Sequence, residues 1–239
     1  MQLLKKFSPF YNLTLFYISV SFILRIVLLF HPITQSTFVW TDTIKIFTLG
    51  LISDFFVFTV LSGFLWLYLI FISNSKYLKP TGYIIFGVLV TLFLYVSFGN
   101  TILNEYGGAL PKIGMIFIGL KTFLFGLLLF LPKYRSKIRF WLFTFVLFLF
   151  VVLILQNAIS EYFFWNEFGV KYNFIAVNYL VYTNEVIGNI MQSYPVIPIF
   201  TTLFLISGTI TFFIVKHSKN YIESIPTFIE KIKILGLYL

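Results

Sequence analysis

Residues Phe140–Leu155 read FWLFTFVLFLFVVLIL, with no charged residue among them. A helix that is apolar all round has no face to offer to water, so it is either deeply buried or surrounded by lipid. A chain of 239 residues could bury one such helix, but this one repeats the pattern. Similar runs occupy about Phe10–Phe30, Ile46–Ile72, Gly82–Leu103, Ile113–Leu131 and Val196–Val215. Each approaches the roughly 20 residues that a helix needs to cross the hydrocarbon core of a bilayer. Phe140–Leu155 is the most apolar of the six. The expected fold is all-α: a polytopic transmembrane helical bundle of about six spans forming a single domain over 1–239, with an extracytoplasmic interfacial segment at 160–195.

Composition agrees with this reading. The chain is 59% hydrophobic and only 10% charged, whereas soluble domains carry about 25% charged residues. There is no cysteine, which excludes disulfides, thiolate nucleophiles and cysteine-based zinc sites. The net charge of +9 would suggest nucleic acid in a soluble protein. Here the basic residues sit in short loops between apolar runs, as in cytoplasmic loops that face anionic lipid, so no nucleic-acid partner is expected. No small-residue cleavage site follows the first run, which therefore reads as a retained span.

Working outward from each run, the basic residues cluster as Lys5 and Lys6, Lys76 and Lys79, Lys133 to Arg139, and Lys216 and Lys219. If all six runs cross, these clusters fall on one side of the membrane. Basic residues concentrate in cytoplasmic loops, so the N-terminus is expected inside and the segment Glu161–Pro195 outside. The 216–239 tail then reads as a cytoplasmic end or, from its final ILGLYL, as the start of a further span.

Signatures of soluble enzymes are missing: there is no HExxH, GxSxG or P-loop. His31 and His217 belong to opposite faces in this topology. Charges inside a span need partners, because an unpaired one costs at least about 2.5–3.5 kcal/mol. Arg25 and Asp54 lie at depths that differ by only about 5 Å at the helical rise per residue, and Lys121 lies at a comparable depth. The three are read as an intramembrane charge cluster, an Arg25–Asp54 pair with Lys121 nearby or snorkelling outward. It serves either to hold helices together or to receive an anionic headgroup.

The one chemically rich stretch is EYFFWNEFGVKYNFIAVNYLVYTNEVIGNIMQSYP, Glu161–Pro195. Trp and Tyr favour the headgroup zone, so its first half is expected as an interfacial loop or short helix. In its second half Asn178, Glu185, Asn189 and Gln192 fall within about 60° of one another on a helix. Ile175, Tyr179, Tyr182, Val186 and Ile190 form an adjoining apolar and aromatic stripe. This is the pattern of an amphipathic helix on the membrane surface, either a structural cap on the bundle or a platform for a lipid or an external domain. The candidate contact residues are Glu161, Trp165, Glu167, Lys171, Asn173, Asn178, Tyr179, Glu185 and Asn189.

This segment resembles the external part of the membrane domain of lipoteichoic-acid-synthase-like proteins, of the sulfatase branch of the alkaline phosphatase superfamily. The resemblance extends more loosely through LPKYRSKIRFWLF and VIPIFTTLFLISG, and GLISD, ending at Asp54, is similar to a Gly-Leu-x-x-Asp element of that family. The family has Arg where Lys171 stands, Asp where Asn178 stands and often Glu where Gln192 stands. The stretch from about Lys79 to Leu131 holds two spans more than the usual five. The resemblance implies the membrane anchor of a phosphoglycerol or phosphoethanolamine transferase, or a related hydrolase, in a bacterial cytoplasmic membrane. It further implies an extracytoplasmic catalytic domain with a threonine nucleophile and a divalent metal, often manganese. This chain holds none of that domain's residues and no cofactor of its own, so its direct partners would be membrane lipids and that domain. The competing expectation is a free-standing polytopic protein that carries a lipid or polyprenyl phosphate, or assists assembly.

Overall fold

The structure, a computed structural model, describes residues 8–34, 39–71, 75–106, 108–173, 183–217, 229 and 232–233. Its helices are α1 (Ser8–Leu29), α2 (Trp40–Phe71), α3 (Thr81–Phe98), α4 (Ile102–Tyr106), α5 (Leu110–Phe130), α6 (Arg135–Phe168), α7 (Thr183–Ser193) and α8 (Val196–His217). No strand occurs among the described residues. Six segments are long and apolar enough to cross a membrane, one for each run in the sequence. Their surfaces are strongly apolar. Phe64, Phe98 and Ile197 are 81%, 85% and 79% exposed, as side chains that face lipid rather than water must be.

Three boundaries differ from the sequence reading. Helix α2 begins at Trp40 rather than near Ile46, because TDTIK forms its first turns. Asp42 lies in that first turn, where a negative charge complements the helix dipole. The third span stops at Phe98, where Gly99 turns extended (φ −89°, ψ 153°). Thr101 then opens the separate short helix α4, its amide and hydroxyl both donating to Asn104 Oδ1 at 3.2 and 2.8 Å.

The largest difference concerns α6. EYFFWNEF is neither a loop nor a separate short helix but the last two turns of the fifth span. Neither Gly nor Pro interrupts Arg135–Phe168, and Gln156 Nε2 donates to Ser160 Oγ one turn further on, at 3.1 Å, where the apolar run gives way to polar residues. The charge-free part of the helix, 140–160, rises about 31 Å at 1.5 Å per residue, close to the roughly 30 Å hydrocarbon thickness. Glu161–Phe168 therefore extends beyond it.

The contacts divide the chain into two compact units. The first comprises 1–69 and 143–221; the second comprises 70–142 and 222–239.

In the first unit α1 and α2 run antiparallel. Phe10 meets Trp66 (ring centroids 4.7 Å apart), Tyr17 meets Phe58 (5.0 Å) and Phe22 meets Phe47 (5.0 Å). Helices α6 and α8 are also antiparallel, with Phe148 stacked on Phe204 and Phe163 against Tyr194. Leu13, Leu65, Phe143, Leu147 and Leu203 are the large side chains most fully enclosed.

In the second unit α3 and α5 form a hairpin whose rings fill notches left by glycines. A Cβ on Gly119 would come within 2.9 Å of Phe93, and one on Gly126 within 3.0 Å of Phe86. Small residues of this kind let helices approach closely where water supplies no drive to associate. Thr122 Oγ1 adds a bond across the hairpin to the Leu89 carbonyl, at 3.3 Å.

Candidate functional site

The first unit gathers its polar side chains where α6 ends. Gly169 stops the helix at φ +66°, the left-handed conformation that glycine adopts without steric cost. Its amide donates back to the Trp165 carbonyl at 2.8 Å. The chain then reverses, so that Lys171 Nζ reaches Glu161 Oε1 at 3.2 Å, with the Glu161 side chain largely enclosed and the Lys171 side chain half exposed. Tyr172 packs its ring on Phe164 at 5.0 Å.

The turn after α1 is tied to the same helix end. Trp165 Nε1 donates to Thr34 Oγ1 at 3.2 Å, and that hydroxyl donates to the Leu28 carbonyl at 2.6 Å. The buried His31 ring stands edge-on to Tyr162, with centroids 5.5 Å apart. On the α8 side Tyr194 donates its phenolic hydrogen to Glu167 Oε1 at 3.0 Å. Loss of hydration and then the Glu167 carboxylate hold the Tyr194 phenol above its ordinary pKa. Burial does the same to Tyr172, opposed by a hydrogen bond with Ser160.

Two cavities lie against this end of the unit. One, of about 680 Å³, is walled by apolar side chains of α1, α6 and α8, among them Val20, Ile23, Leu155 and Leu203. The other, of about 600 Å³, lies among α6, α7 and α8 and is lined by Gln156, Ser160, Glu167, Asn189, Ser193 and Tyr194, together with aromatic rings. Ile159, Phe163 and Ile199 line both.

Of the residues expected from the sequence, Glu161, Trp165, Glu167 and Lys171 thus meet at one end of the unit, and Asn189 joins Glu167 in the second cavity. Asn173 is exposed in the turn after α6. Asn178 and Tyr179 lie outside the described residues, and Glu185 is described only as part of the α7 backbone. Sequence reasoning missed Thr34, Gln156, Ser160, Tyr172, Ser193 and Tyr194. A helical signal for two of them was present: Gln156, Ser160 and Glu167 fall within about 40° of one another at 100° per residue, once the helix is carried past Leu155.

The charged pair is a second feature of the same unit. Arg25 Nη2 lies 2.6 Å from Asp54 Oδ2, with both side chains nearly inaccessible, and it donates to the Gly50 carbonyl at 2.8 Å. Gly50 leaves the room for this: a Cβ there would clash with the Arg25 guanidinium. Lys121 is exposed on α5, in the second unit.

Among the described residues no group of three or more His, Asp or Glu could hold a metal ion. No protein-family model, no curated protein and no solved structure matches the chain.

Proposed function

We propose that this chain is the membrane-embedded, lipid-handling part of an envelope-lipid transferase of the lipoteichoic-acid-synthase-like kind. It would work with an extracytoplasmic catalytic domain that supplies the nucleophile and the metal. The observation that carries the reading is the ordered polar and aromatic end of the first unit. Three of the residues that carry the resemblance, Glu161, Trp165 and Glu167, each bind a different segment of the unit there. Such an end, standing beyond the apolar part of α6, is suited to hold a soluble domain over the membrane and to meet headgroups. The division of the chain supports the same reading. The second unit, 70–142 with 222–239, contains the stretch that exceeds the family's usual spans, and the described part of the most strongly resembling segment, Glu161–Pro195, lies in the first. In this reading the N-terminus lies in the cytoplasm of a bacterial cell and the end bearing Glu161 faces outward.

Deleting the coding gene and analysing envelope lipids and polymers by mass spectrometry tests this. The expected result is loss of phosphoglycerol or phosphoethanolamine substituents, restored by the wild-type chain but not by one carrying Glu161→Gln and Lys171→Ala together. Unchanged substituents would overturn the reading.

The apolar cavity of about 680 Å³ favours one alternative, a free-standing carrier of a lipid or polyprenyl phosphate. That alternative predicts an altered distribution of lipid between leaflets with every substituent in place.

A further inference from the structure

We infer that the second unit holds a site for an anionic phospholipid with two phosphates, formed by Lys79, Lys133 and Arg135 around the buried ring of Tyr77. The inference stands apart from the proposed function, since it uses none of the residues that carry it. All three cations stand at one end of the α3–α5 hairpin: Lys79 just before α3, Lys133 just after α5 and Arg135 at the start of α6. The turn Ser75–Tyr77 lies at the same end. Its Tyr77 is buried, with its ring 5.0 Å from that of Phe125. The Arg135 guanidinium lies 4.9 Å from the centre of the Tyr77 ring, and Lys76 Nζ 5.3 Å from it. Gly82 lets this turn sit against the hairpin, because a Cβ there would stand 2.7 Å from Leu129 Cδ1 and 3.0 Å from the Tyr77 carbonyl carbon. Burial raises the pKa of the Tyr77 phenol, and the charges of Arg139 and then Arg135 oppose the rise. A further cation therefore acts on the same ring.

Arg135 is fixed along one edge of its fork. Nε donates to the Leu128 carbonyl at 2.7 Å and Nη2 to the Leu129 carbonyl at 3.5 Å, which caps the C-terminal carbonyls of α5. The hydrogens of Nη1 take part in neither bond and suit a phosphate oxygen. Lys79 Nζ stands 5.5 Å from the centre of the Tyr83 ring, and Lys133 Nζ 5.9 Å from that of Tyr134. Both lysines are exposed. Residues 55–104 and 106–160 contain neither Asp nor Glu, and Glu105 lies past the other end of α3. Glu223 and Glu230, assigned to the same unit, lie outside the described residues. Like charges gathered in this way repel one another, and a bound anion relieves the repulsion. The surroundings make a lipid the source of that anion. Tyr83, Tyr134 and Trp141 are exposed around the cations, and Tyr and Trp favour the headgroup zone. Leu78, Ile84 and Phe130, also exposed at this end, offer acyl chains an apolar surface. Basic pockets at the ends of spans bind lipids of high negative charge. Three cations exceed what one lipid phosphate neutralises, so a headgroup with two phosphates fits better.

The test uses the full chain in phosphatidylcholine nanodiscs doped with cardiolipin or, at equal phosphate, with phosphatidylglycerol. Inorganic phosphate and ATP are added to separate samples as soluble competitors. Bound lipid is read by native mass spectrometry and thermal stability by fluorescence. Cardiolipin should bind about tenfold more tightly than phosphatidylglycerol and raise the melting temperature, and neither soluble anion should displace it. Lys79→Gln with Lys133→Gln should weaken cardiolipin binding about thirtyfold. Lys112→Gln, which removes a charge from the other end of α5, should leave it unchanged. Arg135 also caps α5, so the test rests on the two exposed lysines, whose replacement leaves the packing in place. Equal or tighter binding of phosphatidylglycerol, displacement by phosphate or ATP, binding unchanged in the double lysine variant, or an equal loss in Lys112→Gln would each overturn the inference.

Discussion

At the scale of single residues, the Arg25–Asp54 pair shows how a glycine can be a requirement of electrostatics. A guanidinium in a span needs a counter-charge and acceptors for its remaining hydrogens. Asp54 supplies the first at 2.6 Å, and the Gly50 carbonyl, one helical turn away, supplies one of the second at 2.8 Å. The spacing of Gly50 and Asp54 puts both on one face of α2, and the missing side chain at Gly50 lets the guanidinium lie against the helix backbone. Removing one partner of an enclosed pair strands the other, at a cost of about 3–5 kcal/mol. Asp54→Asn is therefore expected to lower unfolding stability in micelles by about 3 kcal/mol, and Gly50→Ala by about 1–3 kcal/mol through overpacking. Replacing the pair together, Arg25→Met with Asp54→Leu, should recover most of the loss. If Asp54→Asn keeps wild-type stability but abolishes the envelope phenotype, the pair serves an anionic ligand rather than the fold. That the two residues share a depth was legible from their distances to the ends of the runs. The role of Gly50 was not, because a glycine within an apolar run looks the same whether it faces lipid or a guanidinium.

At the scale of elements, α6 decides where the polar end stands. Its 34 residues would span about 51 Å at the helical rise, far more than the hydrocarbon needs, and the excess carries Glu161, Trp165 and Glu167. The sequence reading ended this span near Leu155 because Gln156 and Asn157 are polar. Hydrophobicity marks where a helix leaves lipid, however, and says nothing of where the backbone stops being helical. The stop is Gly169, at φ +66°. A side chain there meets left-handed strain of about 1–2 kcal/mol, and its Cβ would also approach Ile33 Cγ2 at 3.2 Å. Gly169→Ala should therefore loosen the reversal that brings Lys171 to Glu161. Hydrogen exchange should show faster exchange of amides in 161–172 and none in 143–155. Equal protection across both would mean that this turn does not hold the polar end together.

For the whole molecule, the arrangement of charge along the chain makes a prediction that contacts cannot. The basic clusters alternate with acid- and aromatic-rich loops at every span, so the end of α6 at Asn166 and its start at Ser136 are expected on opposite sides of the membrane, with Ser136 inside. Both positions are exposed, and the chain has no native cysteine. In intact cells Asn166→Cys should react with an impermeant maleimide, and Ser136→Cys only after permeabilisation. The reverse labelling would invert the orientation and place the end bearing Glu161 in the cytoplasm.

The sequence by itself determined the all-α class, the six apolar segments and the pairing depth of Arg25 and Asp54. These follow from composition and periodicity, which act locally and repeat along the chain. Only the tertiary structure decided that the chain divides into two compact units. Only the tertiary structure decided that Glu167 meets Tyr194 and Trp165 meets Thr34, and that an apolar cavity adjoins a polar one across Ile159, Phe163 and Ile199. These depend on which helix faces pack together. In a chain whose spans are apolar on every side the sequence marks no preferred face, and packing shape alone makes the choice.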